Sequence, residues 1–507
     1  MKNFLYKSNI FIFTGLLLVM GILFFVLPKQ KTSEFEKRDL CQWPEFSVEK
    51  LRSGAYIDSV DLYIADNFPF RDNFVSFSFE LEQLRGIQSK EIAFYNQSVN
   101  MDAGIENMGD SLSNTELSDS NNIATNNPDE DSLGQNSLYH NDGFASEVER
   151  LSRGLLIYKG MAIQMFGGGR STAIHMSRMA NDVKKTLGPE IEVYVGVTPT
   201  HGEFYLPSEY IEEAVSEKKN IDTIYKYLNP DVKSFDVTKE LFEHKDEYIF
   251  FNTDHHWTGK GAYYAYVAWC KSAGVKPLPL SAYDHRVIPG FLGTLYRMTR
   301  DKRLEESGDS VEYFRVPICF KAYRLYGNDY SKLKNTYLYV DMAKGGNAYG
   351  VFLGGDVPAL CVVSKQQNNR RALIIKNSFG NPFSTYFVYH FERTYILDYR
   401  YFKGNLVDFV KKNGVTDVIL FHNSFSANTP SHVDMTRQML SDSNLIAPHI
   451  LPDWKTMFPE GTMLSDFYAK RLKAQEKELK QQHPKNIQGQ PKSEPKKQPI
   501  DSLNKTN

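Results

Sequence analysis

Arg371-Ala372-Leu373-Ile374-Ile375-Lys376-Asn377-Ser378-Phe379-Gly380-Asn381-Pro382 is the stretch from which the fold is read. Its first half is a continuous apolar run with no alternation, the pattern of a strand covered on both faces. A tight turn holding a serine follows, and Pro382 suits the first turn of a helix. In open α/β sheets, ligands bind just beyond the carboxyl ends of the strands. A serine there, beside free backbone amides and a helix N-terminus, is placed to act as a nucleophile. The same amides can stabilise an oxyanion. Most serines in such turns only cap the helix, so this one needs partners before it means chemistry.

Outward from this stretch, residues 146–455 alternate short apolar runs with helical patterns. Candidate strands are Glu192–Val197, Tyr248–Phe251, Leu373–Ile375, Tyr395–Leu397 and Asp417–Phe421. Candidate helices are Met176–Leu187, Gly261–Ala273 and Leu406–Asn413. The expected class is α/β, a sheet with helices on both faces.

The partners come from Thr253-Asp254-His255-His256-Trp257-Thr258, which follows the apolar run Tyr248–Phe251 and so sits at an expected strand end. Thr258 is placed to cap the helix that follows. An acid and an imidazole two positions apart in an extended loop can face one cleft. Histidine, with an unperturbed pKa near ~6.5, is the natural base for a serine hydroxyl. A carboxylate orients the ring and stabilises its protonated form. Two other readings compete: a metal site on Asp254 and the two histidines, and a structural turn with Asp254 as a cap. Adjacent histidines point in different directions, and no HxH or HExxH pattern among the 12 histidines supplies further ligands. The triad therefore ranks above the metal site, and the metal site above the turn. Neither metal nor cofactor is expected.

At these residues the sequence resembles the family named for its DHHW signature, which is similar to the SGNH-hydrolase-like alginate O-acetyltransferases. Asn67-Phe68-Pro69-Phe70-Arg71, Val197-Thr198-Pro199-Thr200, Thr253–Thr258 with Gly261-Ala262, Lys376–Asn381 and Asp398-Tyr399-Arg400-Tyr401 match the family's blocks in order, over roughly residues 43–425. The resemblance implies an SGNH-like fold and a triad in which Ser378 is the nucleophile, His256 the base and Asp254 its orienting acid. It implies chemistry on O-acyl groups of a polysaccharide outside the cytoplasm, with a membrane-bound O-acyltransferase as acyl donor. Asn377 stands where the family usually has Asp. The Ser378 amide is the first candidate oxyanion donor, with Gly354-Gly355 and Asn423 behind it. His255 and Trp257 are supports or substrate contacts. Arg400 is either an anchor for an acidic group or half of a structural ion pair. An O-acyltransferase leads. An esterase of the same fold and a non-catalytic polysaccharide-binding or assembly protein are the alternatives.

The ends of the chain bound its setting. From Ser8 to Pro28 there is no charge and the run is almost wholly apolar, long enough to cross a bilayer. No A-x-A-like site follows, so residues 1–30 are read as an uncleaved anchor rather than a cleaved signal. Residues 31–455 would form the domain outside a cytoplasmic membrane, anchored by that single span. Residues 97–142 hold nine acidic residues and no Lys or Arg, which reads as a disordered insertion. An EF-hand spacing is absent there. Residues 456–507 read as a charged helix and a basic, disordered tail. The formal net charge of −2 and the absence of a basic motif exclude nucleic acid as a partner. The four cysteines sit apart, without a CxxC, in apolar contexts that suit small buried side chains.

Overall fold

The computed structural model describes residues 2–29, 32–33, 38–52, 55–71, 73–74, 77, 92–95, 152–449, 454–459 and 461–482. The acidic segment 97–142 and the tail beyond residue 482 lie outside the described residues. The chain divides into two units, Met1–Glu460 and Gly461–Asn507. The second is represented by one helix, Leu464–Gln482.

The first unit is built on an eight-stranded mixed sheet. Its strands are β1 (Glu192–Thr198), β2 (Lys233–Ser234), β3 (Phe320–Tyr326), β4 (Lys332–Thr336), β5 (Ala359–Ser364), β6 (Arg371–Lys376), β7 (Arg393–Asp398) and β8 (Asp417–Asn423). Their spatial order is β4-β3-β5-β7-β6-β8-β1-β2. The pairs β7/β6, β6/β8, β8/β1 and β1/β2 are parallel. Strands β5, β3 and β4 extend this core antiparallel. The chain runs outward from β1 to β2 on one side and from β6 to β7 on the other. The C-terminal ends of β1, β6 and β8 therefore open on one crevice, where such sheets bind ligands.

Register shows how both faces are covered. Phe421 of β8 pairs with Gly196 of β1, and Ile419 with Tyr194, so these share a face. On that face Tyr194 meets Trp269 of α2 (Gly259–Ala273), and Phe421 stacks on Phe383 of α4 (Gly380–Phe387), with centroids 5.9 and 4.2 Å apart. Leu373 pairs with both Tyr395 and Val418 on the opposite face. There Tyr395 packs edge-on against Phe409 of α5 (Leu406–Asn413) at 5.2 Å, beside α1 (Arg170–Leu187). The sheet is buried on both sides, which is why its central strands are continuous apolar runs. Helix α2 begins at its Thr258 cap, whose hydroxyl accepts from Gly261 N, and ends at left-handed Gly274.

One expectation meets a correction here. Tyr248–Phe251 is not a strand of the sheet. It forms one isolated bridge, Phe250 to Trp257, and turns back at once through Phe251 N to His256 O and Thr258 N to Ile249 O. Its apolar residues are buried by tertiary packing, and that burial alone mimics a strand pattern. At the N-terminus Lys2–Val26 is a helix of 25 residues. Among the described residues no helix is both long and apolar enough to cross a membrane. The side chains of residues 2–10 and 12 fall outside that description.

Candidate active site

Strand β6 delivers Ser378 to the crevice. Lys376 ends the strand, Asn377 and Ser378 turn, and Gly380 opens α4. The turn is too tight for a side chain at Gly380, because a Cβ there would lie 2.4 Å from Lys376 Cβ. The 252–258 loop comes to meet it from the far side of the sequence. His256 Nε2 lies 2.8 Å from Ser378 Oγ, and His256 Nδ1 lies 2.6 Å from Asp254 Oδ1. All three residues are at most 3% exposed. With an aspartate on Nδ1, the ring carries its proton there and leaves Nε2 facing the hydroxyl. The structure thus brings together Asp254, His256 and Ser378 in the order of a proton relay.

Asp254 is fixed on both oxygens. Oδ1 also accepts from His256 N at 3.0 Å, and Oδ2 accepts from Thr294 N at 2.7 Å, the first residue of α3 (Thr294–Thr299). A Cβ on Gly293 would stand 2.2 Å from Asp254 Cβ, so only glycine lets α3 approach. Burial opposes charge on Asp254. The neighbouring His255 and His256, with the hydrogen bonds from His256 and Thr294, outweigh it and hold the carboxyl well below its ordinary range. The loop itself hangs on Asp309, which accepts from Asn252 N (2.9 Å), Thr253 N (2.7 Å), Thr253 Oγ1 and Tyr248 Oη (both 2.5 Å).

Tyr349 joins base and nucleophile. Its ring stacks on His256 with centroids 4.2 Å apart, and its hydroxyl donates to Ser378 O at 3.0 Å. It belongs to the turn Gly345–Val351. A narrow cleft opens over Ser378, lined by Phe291, Thr294, Tyr349, Gly355, Asp356 and Asn381 around the relay. Among the described residues the Ser378 N–H meets no intramolecular acceptor.

The other expected site residues fall into place by contact. Trp257 is fully buried and donates from Nε1 to Phe379 O at 2.9 Å, which ties the two loops together rather than presenting the indole to a ligand. His255 packs on His256 with centroids 3.9 Å apart. Asn377 Nδ2 donates to Asn423 Oδ1 (3.2 Å) and Ser426 Oγ (3.1 Å), while its Oδ1 accepts from Phe379 N. Asn423 Oδ1 in turn caps the next helix at Ser426 N. Gly355 lines the cleft, but its N–H is taken by Phe352 O. Arg400 is sunk in an ion cluster, 2.7 Å from Asp356 Oδ2 and 2.8 Å from Asp398 Oδ2, with Lys376 on the same two acids. That is the ion-pair alternative. Burial disfavours the Asp356 charge, but Arg400 and Lys376 prevail and bring its pKa down to about 2.

Asp254, His255 and His256 also bring one donor atom each within 4.8 Å of one another. Both His256 nitrogens are already hydrogen-bonded, so a cation there would have to dissolve the relay. Sequence reasoning did not name Tyr349, Thr294, Asp309 or Asp356. No local pattern marks them, since each reaches the site from a separate loop.

The model of the family described as DHHW protein matches residues 36–397. No curated protein matches the chain. A solved DHHW family protein from Eubacterium siraeum is 31% identical, with 59% of this chain and 97% of that chain covered, at a TM-score of 0.52. PatB1 of Bacillus cereus, solved with a sulfonyl adduct, is 19% identical over 56% of this chain and 97% of its own, at a TM-score of 0.47. The O-acetyltransferase domain of Pseudomonas putida AlgJ is 13% identical over 57% and 98%, at a TM-score of 0.33. Since the family model spans far more than half of the sequence, including the Asp254-His255-His256-Trp257 run that closes on Ser378, the chain belongs to the DHHW protein family.

Proposed function

We propose that the protein is a serine O-acyltransferase that modifies a cell-surface or exported polysaccharide, with acetyl as the group carried. The relay Asp254–His256–Ser378, with links of 2.6 and 2.8 Å, is the observation that supports this reading. Ser378 Oγ attacks the donor's acyl carbonyl while its proton passes to His256 Nε2. The Ser378 N–H meets the developing oxyanion. Collapse expels the donor's alcohol or thiol, which takes the proton back from His256. A sugar hydroxyl then gives its proton to His256, attacks the acyl-serine and leaves as the ester. Asp254 stays ionised throughout and holds the imidazolium.

Acetyl, the polysaccharide acceptor and a membrane-bound acyltransferase as donor are carried by the resemblance of the sequence blocks to alginate O-acetyltransferases. The apolar stretch Ser8–Pro28 supports a single-span anchor, with the domain outside the cytoplasmic membrane. Water in place of the sugar makes the same site an esterase. The second reading, a metal-dependent hydrolase, draws on the close approach of Asp254, His255 and His256.

The full-length chain is incubated with p-nitrophenyl acetate beside Ser378→Ala and His256→Ala. Both variants are expected to lose at least about a thousandfold in kcat/KM, and intact-protein mass spectrometry should show an acetyl adduct on Ser378. A wild type no faster than either variant, with no adduct, rejects the relay. Activity abolished by a chelator selects the metal reading instead.

A further inference from the structure

Two carboxylates line the cleft, Asp254 and Asp356. Asp356 is already balanced by Arg400 and Lys376, so Asp254 is the charge beside which an acidic ligand would need a cation. Arg297 stands where such a cation is needed. It lies on α3, one turn from Thr294, and its guanidinium ties together two segments that border the cleft. Nη2 donates to Thr294 Oγ1 at 2.9 Å, and Nη1 donates to Gly346 O at 3.2 Å. Thr294 holds Asp254 Oδ2 and lines the cleft. Gly346 belongs to the turn that carries Tyr349 and Gly350 into it.

What sets Arg297 apart is its company. Arg303 meets Asp301, Arg315 meets Asp284 and Asp341, and Arg400 meets Asp356 and Asp398. Arg297 is also partly buried, yet both acceptors it meets are neutral, and among the described residues no carboxylate pairs with it. Burial pulls the Arg297 pKa below its ordinary value; the Asp254 charge opposes that, and Arg300 adds to it. Withdrawing a cation from water costs stability, and Asp254 offsets that cost only through space, without a direct bond. A guanidinium has five N–H donors in a flat fork, so donors remain for a carboxylate or phosphate, which that fork grips in pairs.

We propose that Arg297 binds an anionic group, a carboxylate or a phosphate, on the acyl acceptor. The protein is thereby selective for acidic glycans. This deepens the acyl-transfer reading and rests on it. Arg297 is a specificity residue: it seats the acceptor chain while the acceptor's hydroxyl reaches the acyl-serine.

The test uses full-length Ser378→Ala, which can hold an acceptor without turning it over. Calorimetric titration compares an oligogalacturonate, a glycerol phosphate oligomer and an uncharged chito-oligosaccharide of equal length. At least one anionic oligomer should bind about tenfold more tightly than the uncharged one, with the advantage shrinking as salt rises. Which of the two binds names the group. Arg297→Gln in the same background should abolish the preference, and Arg297→Lys should keep part of it. Equal affinity for all three ligands, no measurable binding, or equal weakening of all three by Arg297→Gln overturns the subsite. If Arg297→Gln does not fold, the three ligands on the Arg297 protein and on Arg297→Lys decide the matter. Acyl-adduct formation on Ser378 is followed in parallel in the otherwise unaltered chain. An adduct without anionic preference rejects the subsite alone, whereas a missing adduct rejects the acyl-transfer reading.

Discussion

Asn377 departs from the family's usual aspartate, and its hydrogen bonds give the departure a physical sense. Its amide N–H group faces Asn423 Oδ1 and Ser426 Oγ, and Asn423 Oδ1 is already fixed as an acceptor by Ser426 N. An aspartate would set oxygen against oxygen at 4% exposure, where water gives little relief. Asn377→Asp is therefore expected to destabilise the fold by about 1–3 kcal/mol and to shift the nucleophile turn. Denaturant unfolding and acyl transfer measured together check this, and a variant as stable as the wild type removes the argument. The D-x-H unit and the serine could be read from sequence because each carries chemistry in its own few residues. Tyr349, Asp309 and Thr294 could not. Their roles exist only through contacts such as Tyr349 Oη to Ser378 O, between positions far apart in sequence.

At the level of elements, the relay depends on how closely α3 approaches the 252–258 loop. Gly293 sets that approach. An alanine methyl would lie 2.2 Å from Asp254 Cβ and 2.5 Å from its Oδ2. Either α3 backs away or the carboxylate turns, and both loosen the Thr294 N–H contact. Gly293→Ala is expected to lower kcat about a hundredfold, the effect of a displacement of ~1 Å in a catalytic group, with a smaller change in KM. Steady-state kinetics on a variant shown to be folded would detect this, and an unchanged kcat would refute it. The same level explains what sequence reading reached. Strands β1, β6, β7 and β8 were legible because double-sided burial demands unbroken apolar runs. Strand β4, Lys-Leu-Lys-Asn-Thr, was not, because an edge strand is guarded by lysines rather than marked by apolar residues. Tyr248–Phe251 misled in the opposite sense, being apolar for packing without belonging to the sheet.

For the whole molecule, Glu217 couples stability to pH. It is buried where the loops after β1 and β8 meet, accepting from Thr200 N and Thr200 Oγ1 at 2.8 Å and from the Ser424 hydroxyl. Burial raises its pKa from 4.5 to about 7, against the pull of those hydrogen bonds. The folded state therefore holds a proton that the unfolded chain has released. That contribution is complete below about pH 4.5 and is lost as pH rises through about 7. The loss is on the order of 3 kcal/mol. The unfolding midpoint should fall across this range, and Glu217→Gln should flatten the slope. A variant with the wild-type slope would show that another group is responsible. The strand order has a last consequence, for how the protein is made. Strand β1 has β8 as its inner neighbour, and β6, which carries the serine, also lies against β8. A chain emerging from its N-terminus presents β1 long before its inner neighbour β8 exists. Its apolar edge must wait, shielded from other copies, until nearly the whole domain has emerged. The acid and base are likewise made first and stay inert until Ser378 arrives, 122 residues after His256. A chain cut short by premature termination or early proteolysis is thus silent as well as unfinished.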